Sequence, residues 1–367
     1  MLTSTPPPAS AARVSVICAT YNRGPAIKET LQSVLGQHLT ALELIVVSDG
    51  STDDTDQYVA SVAESDPRVR LLVIEHSGIP SRAMNVGIAE AQGEYLAYID
   101  HDDRWAPEHL TLLVNELEQG ADLAAAGSVW VDDANEVLSV RPVAGMLWHP
   151  EIQVLRPIFE NSQAAHRADW IDVVGPWREQ SSGLEDWDMW VRFADAGARV
   201  ATVRRETLRK TMGRSNRHRR LEQPQSFELL RCPDSRSARQ AIQALLSAPN
   251  AAQIAEAASA DTADWYGSLA RTDQFVFPRG FARSRAEAIE LLPRALREAR
   301  AADRGFEDRT SIRIEPRDSQ VAVVQDINCM TREHAKRYEA ITRRSHRRMF
   351  EQIEEATAAY RSEPQPR

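Results

Sequence analysis

Three carboxylates close a short apolar run in the segment Tyr95-Leu96-Ala97-Tyr98-Ile99-Asp100-His101-Asp102-Asp103. Leu96, Ala97 and Ile99 suit a buried strand. A buried strand gains no stability by ending in like charges that repel one another and lose hydration. A divalent cation removes both costs. Asp100 and Asp102 flank one residue, so a tight turn can aim both at a shared ion, and hard carboxylate oxygens suit Mg2+ or Mn2+. The competing reading is a solvated acidic turn, with Asp103 capping a helix that Pro107 helps to start. Taken alone, the segment divides evenly between the two.

The elements that must position this turn alternate in type. Val14–Thr20, Leu42–Ser48, Val69–Glu75 and Glu94–Asp100 are rich in strand-forming residues. Between them, Pro25–Gln37, Asp53–Ala63 and Ser81–Ala91 carry apolar residues at helical spacing, with Thr52 or Asp53 as a cap for the second. Near-continuous apolar strands alternating with helices imply a parallel sheet covered on both faces. Ligands of such sheets bind beyond the carboxyl ends of the strands. The polar clusters fall there: Thr20-Tyr21-Asn22-Arg23 after the first strand, Asp49-Gly50-Ser51 after the second, Asp100 to Asp103 after the fourth. No GxGxxG or GxxxxGK[ST] run is present, which removes the common dinucleotide and P-loop fingerprints.

The chain has 367 residues, enough for two domains. Its net charge of −9 gives no support to a nucleic-acid partner. Cys18, Cys232 and Cys329 are few and widely spaced, as expected in a reducing cytoplasm. No apolar run approaches the ~20 residues needed to span a bilayer. Residues 1–12 contain Pro6-Pro7-Pro8 and read as a disordered lead-in.

With these residues in place, the first ~220 positions resemble a family 2 glycosyltransferase of the GT-A fold. The matching motifs run in order. They are Val14-Ser15-Val16-Ile17 into Thr20-Tyr21-Asn22-Arg23, then Val46-Val47-Ser48-Asp49-Gly50-Ser51-Thr52-Asp53, then Ser81-Arg82-Ala83-Met84-Asn85-Val86-Gly87. Gly93-Glu94-Tyr95 into the acidic turn follows, and Gly183-Leu184-Glu185-Asp186-Trp187-Asp188 comes last. The resemblance implies an α/β fold, Rossmann-like, with a mostly parallel sheet flanked by helices. It also implies transfer of a sugar from a nucleoside diphosphate donor, UDP-linked first and GDP- or dTDP-linked as options, usually with inversion and with Mn2+ or Mg2+.

Site roles follow from the resemblance. Asp49 is expected to accept a hydrogen bond from the base or ribose, against an Asx-turn with Gly50 and Ser51. Tyr21 is placed to pack the base, with Thr20 and Asn22 beside it. Arg82 and Asn85, three residues apart on one helix face, are expected to reach the base or diphosphate. Asp102 is the expected direct metal ligand. Asp100 is shared between ribose and ion, and His101 is not assigned as a ligand. Asp186 is the candidate general base and Glu185 its orienting partner, against a reading of Asp186 as a helix cap. Trp187 is a possible acceptor wall and Trp190 a core residue. The basic stretch Arg204 to Arg220 is expected to close on the diphosphate through Arg209 and Arg214, or else to form a solvated face.

Two rival readings differ in class. A nucleotidyltransferase would carry an early glycine-rich basic loop where Tyr21-Asn22-Arg23-Gly24-Pro25 stands. A degenerate sugar-nucleotide-binding scaffold would not be expected to retain Asp49, Asp100, Asp102 and Asp186. The expected division is a catalytic domain over 13–225 and a helical region over 226–367. The latter would serve acceptor binding, homo-oligomerisation or bracing, and its tail, Thr331 to Tyr360, reads as one long amphipathic helix. The acceptor is expected to be a glycan or a small molecule.

Overall fold

The computed structural model describes residues 12–132, 134–140, 143–179, 183–212, 225–302, 312–327 and 331–361. They divide into two compact units, Met1–Arg219 with Val276–Ala288, and Arg220–Phe275 with Ile289–Arg367.

The strands of the first unit are β1 (Val14–Thr20), β2 (Leu42–Ser48), β3 (Val69–Val73), β4 (Tyr95–Tyr98), β5 (Arg104–Trp105), β6 (Leu123–Val131), β7 (Val137–Val140), β8 (Ala164–Arg167) and β9 (Val200–Thr211). Its helices are α1 (Lys28–Leu35), α2 (Thr55–Ser65), α3 (Pro80–Glu90), α4 (His109–Glu118), α5 (Pro150–Leu155), α6 (Trp170–Val174) and α7 (Glu185–Asp195). The strands form one sheet in the order β3-β2-β1-β4-β8-β6-β9-β5, with β7 on β6. The pairs β3–β2, β2–β1, β1–β4 and β6–β9 are parallel, and β8 runs antiparallel between β4 and β6. Most strands therefore share one direction, as the alternating pattern requires.

The continuous apolar run of β2 has a physical cause. Leu44 and Val46 face one core layer with Ile27, Leu31 and Leu113, whereas Ile45 and Val47 face a second layer with Ala83 of α3. Both faces of the strand are covered, so no polar alternation survives. Helix α3 lies close on the sheet at Gly87, where a Cβ would come within 2.6 Å of Ile17 Cγ2. The expected helix over Pro25–Gln37 is split. A 3-10 turn over Gly24–Ile27 precedes α1. At α2 the cap position is Asp54, and Asp53 Oδ1 accepts the Thr55 N–H at 3.0 Å.

The second unit holds β10 (Gln225–Cys232), α8 (Ser235–Leu246), α9 (Ala248–Leu269), α10 (Arg285–Ala302) from Ile289 on, β11 (Ile312–Arg317), β12 (Gln320–Ile327), α11 (Arg332–Ser345) and α12 (Arg347–Thr357). Its strands form an antiparallel sheet, β10-β12-β11, packed on α8, α11 and α12 through Phe227, Leu230, Ala238, Val323 and Ile353. The sequence reading found β11 and β12 and missed β10. The tail is two helices, not one. The chain leaves helical geometry at His346 (φ −117°, ψ 50°), where Oγ of Thr262 meets His346 Nε2 at 3.1 Å. No helix among the described residues is long and apolar enough to cross a membrane.

Candidate active site

The parallel strands β1, β2 and β4 end side by side, so Thr20, Asp49 and Asp100 share one sheet edge. The loop after β1 is clasped to the start of α2. Asn22 adopts a left-handed conformation (φ 48°), which asparagine tolerates. Its Oδ1 accepts the Thr52 N–H at 2.8 Å and its own N–H donates to Ser51 Oγ at 3.1 Å. Thr55 Oγ1 accepts the N–H groups of Arg23 and Gly24 at 2.8 and 2.7 Å. The Asn22 side chain thus holds two loops together. Thr20 Oγ1 lies 3.2 Å from His101 Nδ1. Tyr21 is exposed and stacks on His76, ring centroids 4.3 Å apart.

Asp49 is buried, and its carboxylate crosses to the next loop. Oδ1 accepts the Ser77 N–H and hydroxyl at 2.8 and 2.9 Å, and Oδ2 accepts the Gly78 N–H at 2.8 Å. Burial alone would raise its pKa, but these donors and His76 outweigh it and hold the carboxyl below its ordinary range. The Asx-turn alternative gives way to this arrangement. Gly50 is needed where the two loops touch. Its φ is +67° and a Cβ there would sit 2.8 Å from the His76 nitrogen.

At the acidic turn, Asp100 Oδ1 accepts from Asn161 Nδ2 at 2.9 Å, and its N–H donates to Ser162 Oγ at 2.9 Å. Asp102 Oδ2 lies 3.6 Å from the Arg23 guanidinium. Burial, then the neighbouring Asp100 charge, raise the Asp102 pKa against the opposing Arg23 and Lys210. Asp103 is buried and structural. Its Oδ1 accepts the Thr211 N–H at 3.2 Å, while Thr211 Oγ1 donates to the Asp102 carbonyl at 2.7 Å, so the end of β9 is stitched to the turn. Among the described residues no group of three or more acidic, His or Cys side chains is arranged to hold a metal. The donor set, two partly buried carboxylates that crowd each other, fits a Mg2+- or Mn2+-type ion that takes one or two carboxylates and completes its shell with phosphate oxygens and water.

Helix α7 supplies the second acidic pair. Its cap position is Leu184, which has no capping side chain, and Asp186 sits in the first turn with Oδ1 accepting the Trp187 N–H at 2.7 Å. Burial, then Glu160 and Glu185, push the Asp186 pKa up to about 8, with Lys210 opposing. Asp188 is buried between Arg178 and Arg192 and steadies the helix. Trp187 donates to the Gln153 carbonyl at 2.6 Å and is buried, so it forms no acceptor wall; Trp190 lies in the core against Trp177, Phe159 and Phe193.

Of the other expected donor contacts, Arg82 is exposed on α3. Asn85 pairs with the backbone of Trp177 through both ends of its amide, at 2.9 Å each, and so holds the segment ahead of α7. Arg209 hydrogen-bonds Asn135 at 3.0 and 3.1 Å, away from the acidic groups. Arg214 lies outside the described residues. The inward residue of this strand is Lys210, buried and ion-paired with Glu160. Period-two alternation along β9 would have separated Arg209 from Lys210. Arg23 carried a motif signal too, but Glu160, Asn161 and Ser162 lie in a stretch broken by prolines and gave none.

Residues 15–170 match the family model described as glycosyl transferase family 2. The uncharacterized glycosyltransferase YibD of Escherichia coli is 39% identical over 119 residues, 32% of this chain and 34% of that protein. The succinoglycan biosynthesis protein ExoO of Rhizobium meliloti is 33% identical over 124 residues, 34% of each chain. The chain spans about a third of the length of the curated relatives it matches. Among solved structures, residues 1–349 of S. aureus TarS in complex with UDP-GlcNAc align at 17% identity and a TM-score of 0.48, over 85% of this chain and 96% of that one. Residues 15–170, within the first unit, are thus similar to glycosyl transferase family 2.

Proposed function

We propose that the first unit transfers a sugar from a nucleoside diphosphate sugar to an acceptor hydroxyl with inversion. One observation carries the reading. Lys210 is buried and ion-paired with Glu160, its neighbour Thr211 is bonded to Asp102 and Asp103, and Glu160 and Lys210 both bear electrostatically on Asp186, which gathers the acidic turn and the start of α7 near one buried ammonium. A donor held at the acidic turn is then within the neighbourhood of a base.

The nucleoside is proposed to lie at the ends of β1 and β2, against Tyr21, with the loop fixed by Asp49 shaping its site. Asp102, with Asp100, would hold a divalent cation, which when bound neutralises charge on the departing diphosphate. Arg23 and Arg82 supply further positive charge toward the phosphates. Asp186, with a pKa near the operating range of a base, takes the proton of the acceptor hydroxyl as its oxygen attacks the anomeric carbon and the bond to the diphosphate breaks. Glu185 raises its basicity by like charge. A UDP-sugar is the first donor to test. A glycan acceptor is the first choice, given a relative named for succinoglycan biosynthesis. Residues 226–367 are proposed to serve acceptor recognition or self-association.

The test is a thermal-shift screen of UDP, GDP and dTDP with and without Mn2+, on wild type and Asp102→Ala. A metal-dependent shift with one diphosphate, lost in Asp102→Ala, is expected. No shift with any diphosphate would overturn the reading in favour of a scaffold.

A further inference from the structure

The Asp100 carboxylate is gripped by a residue 61 positions further along the chain: Asn161 Nδ2 donates to its Oδ1 at 2.9 Å. Among the described residues, Oδ2 of Asp100 accepts no hydrogen bond. The sheet register brings the two segments together. β8 runs antiparallel to β4 with Ala165 opposite Ala97, and the same register carried onward sets Ser162 opposite Asp100. Ser162 Oγ accepts the Asp100 N–H there at 2.9 Å. Asn161 stands next to Ser162 and supplies the partner of the carboxylate.

The 3-10 turn over Asn161–Gln163 is anchored by bonds other than this one. Gln163 Nε2 donates to the Ala126 carbonyl of β6 at 2.7 Å, and Gln163 Oε1 accepts the Glu160 N–H at 3.1 Å. Trp105 Nε1 donates to the Ser162 carbonyl at 2.7 Å. Asn161 Oδ1 accepts the Ser162 N–H at 2.9 Å, which fixes the sense of the amide: its oxygen faces a donor and its NH2 faces Asp100. Asp100 is half-buried, so water can satisfy its oxygens and burial does not demand the Asn161 bond. What the bond does is distinguish the two oxygens. With Oδ1 held, Oδ2 is the one left for a ligand. A neutral amide achieves this without adding a positive charge that would compete with a cation, unlike Arg23, which stands 3.6 Å from Asp102.

We propose that Asn161 is a positioning residue that restricts Asp100 to one-oxygen ligation, and so favours a Mn2+- or Mg2+-type ion over Ca2+ at the acidic turn. The proposal rests on the reading of Asp100 and Asp102 as holders of a cation. The selectivity follows from coordination chemistry. Mg2+ and Mn2+ prefer octahedral shells of oxygens, into which a carboxylate fits through one atom. Ca2+ takes more oxygens and accepts carboxylates through both. Fixing one oxygen of Asp100 removes the second mode. Outer hydrogen bonds to ligating carboxylates govern metal affinity in this manner.

The experiment uses the full chain with UDP present. Mn2+ binding is counted from the electron paramagnetic resonance signal of the free ion, and Ca2+ binding from its competition with Mn2+. Asn161→Leu keeps the bulk and loses the donor. It should weaken Mn2+ about tenfold and Ca2+ about twofold or less, so that the preference for Mn2+ falls about fivefold or more. Asn161→Ala is read in the same way. Trp105→Phe removes the donor to the Ser162 carbonyl and loosens the turn without touching Asp100. It should lower stability in urea and leave the preference unchanged. A purely structural asparagine would weaken both ions alike, or neither. An unmoved preference in Asn161→Leu and Asn161→Ala overturns the proposal, as does an equal fall in Trp105→Phe. If Asn161→Leu does not fold, Asn161→Ala decides; if neither folds, the asparagine is structural and the proposal falls. A wild type that binds Mn2+ with UDP while the variants keep its preference refutes the role of Asn161 alone. A wild type that binds no Mn2+ with UDP refutes the cation reading of the acidic turn together with it.

Discussion

Asp186→Asn separates a base from a helix cap, because the two roles place opposite demands on the carboxylate. The Asn side chain keeps an oxygen for the Trp187 N–H, which Asp186 Oδ1 accepts at 2.7 Å, so the local hydrogen bond survives. What changes is the charge. In the folded protein the Asp186 pKa stands at about 8, raised by burial and then by Glu160 and Glu185. In the unfolded chain it returns to about 3.9. Between these values the folded state holds a proton that the unfolded state has released, so stability falls as pH rises through this window. At ~1.4 kcal/mol per unit, four units set an upper bound of ~6 kcal/mol, and partial access to solvent reduces this to a few kcal/mol. The variant and wild type should therefore be closest in stability near pH 4, where the unfolded carboxyl begins to hold its proton as well. The variant should become the more stable by a few kcal/mol near pH 9, measured by urea unfolding followed through tryptophan fluorescence. Transfer by the variant should drop about 10²–10⁴-fold. A variant that is less stable than wild type by the same amount at both pH values would refute the argument, because a charged cap stabilises the helix start wherever the carboxylate is ionised.

Other expectations follow from the same geometry. Arg209→Ala should leave nucleotide affinity within about twofold, whereas Arg23→Ala, which removes the cation 3.6 Å from Asp102, should weaken it about tenfold or more by isothermal calorimetry. Equal losses in both variants would mean that Arg209 swings toward the donor. Gly50→Ala should destabilise by about 1–3 kcal/mol in denaturant titrations, since it combines a positive φ with a Cβ 2.8 Å from the His76 nitrogen. An unchanged midpoint would show that the loops at Asp49 and His76 move apart freely.

The strands and helices up to Asp100 were legible because burial on both faces of a parallel sheet writes itself into the sequence as unbroken apolar runs, as in Leu42–Ser48. The acidic turn and the pair at Glu185-Asp186 were legible because charge at the end of an apolar element is costly and therefore conspicuous. The fates of the polar side chains were not. Asn22, Asp49 and Asn85 have the residue types of nucleotide ligands, yet their hydrogen bonds are made across loops 28 to 92 positions apart in the chain. Neighbouring residues Arg209 and Lys210 both read as basic, and only the pleat of β9 sends one to Asn135 and the other to Glu160. The long tail pattern broke at His346 because α9 offers Thr262 as a partner for its ring, a contact no local periodicity contains.

The sequence by itself determined the alternating α/β order, the family resemblance and the acidic groups available for chemistry, since each depends on local pattern or on motif spacing. The tertiary structure decided which of those groups meet. The acidic turn, Glu160 and Asp186 come from segments of the chain that share no local pattern, and they converge only because β9 inserts beside β6 and brings Lys210 inward. A carboxylate's proton affinity depends on distance to other charges in a low-dielectric interior. For that reason the turn at Asp100 to Asp103 could be recognised as costly from residues alone, while the ammonium that offsets the cost could be found only in the fold.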